Sequence, residues 1–109
     1  MKPDTSGLTS NDLSQIIQIL TKFEELEKCV LFGSRAKGNF KRGSDVDLAI
    51  WVSDNEITNQ ISGILNNETL LPYFFDIQNY NLITNQELKE HIDRVGIILF
   101  KREKPGKKR

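Results

Sequence analysis

Leu13, Ile16, Ile17, Leu20 and Phe23 recur at three- and four-residue steps with polar side chains between them. That is the period of an α-helix with one buried face. Thr9-Ser10-Asn11-Asp12, just ahead, supplies its start: a threonine N-cap with an acidic residue three positions on, a capping-box variant. The pattern then changes. Cys29-Val30-Leu31-Phe32 is a continuous apolar run closed by Gly33, which reads as a buried strand. Ser34-Arg35-Ala36 fits a single helical turn, and Lys37 to Ser44, with Gly38, Asn39 and Gly43, a loop. Val46 to Val52 is a second strand. Ser53 or Asp54 would cap a helix reaching about Asn66, with Ile57, Ile61, Ile64 and Leu65 on its inner side. Tyr73-Phe74-Phe75-Asp76-Ile77, after Pro72, is a third strand. Asn85 to Asp93 is a short helix capped at Thr84 or Asn85, and Gly96 to Phe100 a last strand or extended segment.

Helices and strands alternate, so the expected class is α/β (α+β), with a small mixed sheet of three to four strands flanked by helices. The pattern does not fix strand order. At 109 residues the chain suffices for one domain with a modest core. No apolar run approaches the roughly 20 residues of a membrane helix, and the first ten residues contain no apolar stretch of a secretion signal. The single cysteine, Cys29, cannot form an internal disulfide, which suits a cytoplasmic location. The net charge of zero hides an asymmetry. Lys101 to Arg109 holds six basic residues and one acidic, leaving nine basic and fourteen acidic in the other hundred. The expected organisation is a domain over 1–100 and a basic, disordered tail over 101–109. Such a tail can touch RNA or an acidic partner, but a solvated chain end is the plainer reading.

The chemistry concentrates between Gly33 and Asp47. Asp45 and Asp47 stand two apart at the start of a strand, so their side chains share a face. Two anions on one face repel unless a cation lies between them, and hard oxygen ligands suit Mg²⁺. Alone, Asp-x-Asp reads as two solvated aspartates. Gly33-Ser34 adds a second signal. The pair closes a buried strand and opens a helical turn, where backbone N–H groups and the Ser34 hydroxyl can meet a phosphate and glycine lets it approach. A third carboxylate, Asp76, stands among aromatic and apolar residues, where an unpaired charge is costly.

Gly33-Ser34, ten intervening residues and Asp45-x-Asp47 resemble the signature of the DNA polymerase β-like nucleotidyltransferase superfamily. The string GSRAKGNFKRGSDVDLAI resembles its minimal nucleotidyltransferase branch, which includes antitoxins paired with HEPN-domain RNases. The resemblance runs from Val30 to Phe100 and implies a polymerase β-like palm core. It implies two Mg²⁺ ions held by Asp45, Asp47 and Asp76, the catalytic carboxylates, with Asp76 also helping to deprotonate the acceptor hydroxyl. It implies ATP as substrate, bound by Gly33 and Ser34, with Arg35, Lys37 and Ser44 in the nucleotide-binding set. Larger relatives carry further domains for the acceptor. Here the acceptor is expected in trans, from a HEPN-type helical toxin or a second copy of the chain, and no nucleic acid is directly expected.

Other residues carry less. His91, on a polar helix, reads as a surface residue, Cys29 and Trp51 as packing, and Phe40 as a stacking candidate for a base. Two other functions remain open: a nucleotide-binding or steric antitoxin module without turnover, and a transferase subunit acting on a small molecule or an RNA end. The three carboxylates argue against the first, since a pure binder has no need to hold three like charges together.

Overall fold

The computed structural model describes residues 6–41 and 43–102. Helix α1 (Ser10–Leu20) opens on the expected capping box: the Asp12 N–H donates to Thr9 Oγ1, and the Thr9 N–H to Asp12 Oδ2. It stops three residues before Phe23, which packs on the core from the following turn. Strand β1 (Lys28–Phe32) leads directly into the short helix α2 (Gly33–Lys37), closed by Gly38 in the left-handed region at φ 86°. Strand β2 (Val46–Trp51) is followed by α3 (Asn55–Asn67), whose cap is Asp54. Strand β3 (Phe75–Asn79), a 3₁₀ turn (Tyr80–Leu82), α4 (Gln86–Val95) capped by Asn85, and β4 (Ile97–Lys101) complete the order.

The four strands form one mixed sheet in the order β3-β2-β1-β4. The pair β2–β3 is parallel; the pairs β1–β2 and β1–β4 are antiparallel. Alternation along the strands builds two cores. Cys29, Leu31, Leu48, Ile50 and Phe75 point to one face, where Leu13, Ile16 and Leu20 of α1 and Ile57, Ile61 and Leu65 of α3 cover them. Val30, Phe32 and Ala49 point to the other, where Ile92 of α4 covers them with Leu88 and Trp51 at the margin. Trp51 stacks on Tyr80 at 4.3 Å, so it is packing, and Cys29 is fully buried. The second face is covered only in part, and the uncovered part is where the carboxylates emerge.

Several boundaries differ from the sequence pattern by one to three residues, two of them for reasons visible in the side chains. The third strand starts at Phe75, not Tyr73, because the Asn66 side chain takes up both the N–H and the carbonyl of Phe75, while the Tyr73 hydroxyl turns away to Asp12 at 2.6 Å. The last strand includes Lys101. Arg102 beyond it donates from Nε to Leu26 O and from Nη2 to Phe23 O, each at 3.0 Å. The first two residues of the expected tail are therefore held against the domain. Glu103 to Arg109 lie outside the described residues. No helix among the described residues is long and apolar enough to cross a membrane.

Candidate active site

The parallel pairing of β2 with β3 sets Asp47 opposite Asp76. Both lie on the sheet face that α4 covers only in part, because each is flanked by residues (Val46, Leu48 and Phe75) that point into the opposite core. Asp45 stands exposed two residues ahead, at the mouth of the 38–45 loop. The antiparallel pairing of β1 with β2 sets Phe32 opposite Asp47. Gly33, the next residue, therefore arrives beside the carboxylate. It adopts φ 77°, and a Cβ placed on it would run into Asp47 Oδ2. Glycine is required here twice over, for the left-handed backbone and for the approach. Gly33, Asp45, Asp47 and Asp76 thus meet at one end of the sheet.

Burial pushes the Asp47 carboxyl up to about 6, helped by the charges of Asp76 and then Asp45, while Arg35 opposes the rise. A carboxyl with two carboxylate neighbours and a low-dielectric wall is held short of a cation. That, together with a donor set of hard carboxylate oxygens, fits Mg²⁺. As the side chains stand, no group of three His, Cys, Asp or Glu residues among the described residues is drawn together tightly enough to hold an ion. The backbone brings Asp45, Asp47 and Asp76 to one place without converging their carboxylates. Mg²⁺ commonly takes only one or two protein carboxylates and completes its shell with water and substrate phosphate.

The expected phosphate-binding residues divide. Ser34 follows Gly33 at the start of α2, where Phe32 offers no side-chain cap to the first N–H groups. Lys37 is exposed on the same short helix. Arg35 is instead drawn into the loop. It is 3% exposed; its Nη1 donates to Ser6 O at 2.8 Å, and its Nε and Nη2 to Ser44 O at 3.3 and 3.1 Å. The guanidinium lies between the rings of Phe40 (4.8 Å) and Tyr73 (4.9 Å). Phe40, expected to stack on a base, has a ring face over this cation. Ser44 also works within the loop, its Oγ accepting the Lys41 N–H at 2.8 Å. Arg35 is thus a strut fixing the residue before Asp45. Arg35→Met should cost about 2–3 kcal/mol, because a buried carbonyl and a partly buried one lose a charged donor. Chemical denaturation measures it; an unchanged midpoint would show that the loop stands without the strut.

His91, read from the sequence as a surface residue, is half-buried at the site. Its Nε2 accepts the Gly33 N–H at 3.2 Å, and its ring meets Phe32 edge-on at 6.0 Å. The signal available in the sequence is its place in α4, between Leu88 and Ile92, on the side that packs on β1.

The Polbeta family model, polymerase beta nucleotidyltransferase, matches residues 14–105. No curated protein matches the chain significantly in sequence. Among solved structures, a chain of a toxin–antitoxin complex with AMP-PNP superposes with TM-score 0.69 at 23% identity, over 84% of this chain and 75% of that one. A chain of the MntA–HepT toxin–antitoxin complex gives 0.64 at 19% identity, over 86% and 74%. A chain of the complex between the tri-AMPylated Shewanella oneidensis HEPN toxin and its MNT antitoxin gives 0.62 at 20%, over 83% and 70%. These likenesses are of fold; the family rests on the match over most of the chain, which covers the Gly33-Ser34 turn and all three carboxylates. The chain belongs to the polymerase β-type nucleotidyltransferase family.

Proposed function

We propose that the protein moves AMP from ATP, with Mg²⁺, onto a hydroxyl supplied by a HEPN-type helical toxin, and so acts as its antitoxin. The observation that carries the reading is Asp47: half-buried, opposite Asp76, near Asp45, and raised to about 6 by burial and those two charges. Structural neighbours that are toxin–antitoxin complexes, one with AMP-PNP and one with an AMPylated toxin, support the choice of nucleotide and partner.

In this reading Asp45 and Asp47 would hold Mg²⁺ together with the triphosphate, and Asp76 would join them as a ligand. Bound there, Mg²⁺ would supply charge neutralisation for the attacking and leaving oxygens. Gly33 keeps the approach to the β- and γ-phosphates open, and Ser34 donates its hydroxyl to them. Lys37 adds positive charge. Asp76 takes the proton as the acceptor oxygen bonds to the α-phosphorus; the bond to the bridging oxygen breaks, and pyrophosphate leaves. The chain's residues act mainly by position and charge. We assign the reaction to the cytoplasm, where the Cys29 thiol stays reduced.

Incubation with the helical partner, ATP and Mg²⁺, followed by mass spectrometry, tests the proposal. The partner should gain the mass of AMP, on a tyrosine near its own active site, and the isolated chain should label itself only slowly. Asp76→Asn should abolish the labelling while Mg-ATP binding persists, because Asp45 and Asp47 remain. A partner that binds tightly and never gains AMP would make this a steric antitoxin.

A further inference from the structure

The Gly33 N–H, which the sequence pattern offers to a phosphate, is already taken. It donates to His91 Nε2, 58 positions along the chain. The imidazole is held from two sides. Leu88 and Ile92 of α4 anchor its backbone against Val30, Phe32 and Ala49, and the Phe32 ring meets it edge-on at 80°. Burial, then the cations of Lys37 on α2 and Arg94 on α4, push His91 below its ordinary value, so the neutral ring that can accept this bond is favoured.

Gly33 has no side chain to fix it, lies in the left-handed region and touches the space of Asp47. A glycine peptide between a strand and a five-residue helix has more freedom than its neighbours, and it leads directly into Ser34. We infer that His91 is a positioning residue of the phosphate cradle: by accepting the Gly33 N–H it holds the peptide that presents Ser34 to the β- and γ-phosphates. This rests on the nucleotidyl-transfer reading. It differs from plain fold stabilisation in one respect: the loss must appear on the phosphates beyond the first. AMP lacks the two phosphates the cradle would grip, so its binding is the internal control.

Calorimetric titration of the wild type, His91→Gln, His91→Asn and His91→Leu with ATP and with AMP, both with Mg²⁺, decides the matter. Loss of one positioned hydrogen bond should weaken ATP about tenfold in His91→Leu and leave AMP unchanged. Gln places an acceptor where Nε2 stands and should stay within about threefold of wild type; Asn, one carbon shorter, should fall with Leu. If Leu does not fold, the contrast between Gln and Asn carries the test. Leu binding ATP as the wild type does, Gln failing as Asn does, or ATP and AMP weakening together would each overturn the inference. A wild type that binds no Mg-ATP would instead overturn the nucleotidyl-transfer reading, and this inference with it.

Discussion

Asp47→Asn is expected to lower nucleotidyl transfer at least about a thousandfold while making the protein without ligand more stable, by about 1 kcal/mol after solvent screening is allowed for. The two effects share a cause. The Asp47 carboxyl is raised to about 6 from the ordinary 3.8, first by burial and then by Asp76 and Asp45. The folded protein therefore holds this proton more tightly than the unfolded chain. Its contribution to stability is fully present below about pH 4 and is lost as pH rises through about 6. Thermal unfolding of the ligand-free wild type should show that loss between about pH 4 and 7, and Asp47→Asn should lack it. Cation binding needs the carboxylate, so Mg-ATP affinity should rise over the same window. Near-normal transfer by Asp47→Asn, or equal pH profiles for the two proteins, would contradict the role given to this group.

Gly33→Val is expected to weaken Mg-ATP binding at least about a hundredfold, the largest loss of affinity we foresee from a residue that carries no charge. Any Cβ at this position meets Asp47 Oδ2, and the backbone sits at φ 77°, where a β-branched residue is strained. The substitution displaces the carboxylate from one side and fills the phosphate approach from the other. Gly43→Ala separates strain from site chemistry. Gly43 has φ 86° but, among the described residues other than its chain neighbours, no atom within 4 Å of an added Cβ. It should cost about 1 kcal/mol of stability and leave ATP affinity alone. Gly33→Val folded and binding ATP normally would show that no phosphate lies against this glycine.

What was legible in the sequence is what short spacing determines. Thr9 with Asp12 and the apolar faces of α1 and α3 depend on residues three or four apart. Asp76 was legible because an acid stood where apolar residues surrounded it. What escaped depends on partners far along the chain. Arg35 beside the Gly33-Ser34 turn reads as a phosphate ligand, since nothing local reveals Tyr73 and Ser6 as its neighbours. His91 reads as surface because the strand end that takes it up is 58 residues away. The sequence pattern puts β3 two residues early because Tyr73 and Phe74 have strand propensity and Gln78 and Asn79 do not. Parallel pairing with Ala49 and Ile50 overrides that preference through backbone bonds to β2. The side chain of Asn79 then accepts the Asn81 N–H and starts the 3₁₀ turn.

The central claim is that Gly33, Ser34 and the three aspartates form one metal-dependent nucleotide site. Calorimetric titration of the unmodified chain with ATP, once in Mg²⁺ and once in a chelator, tests it without need of a partner. The account predicts saturable binding of ATP in Mg²⁺ that is lost in the chelator, where the uncompensated carboxylates face the triphosphate. Binding of equal strength in both, or none in either, would contradict it.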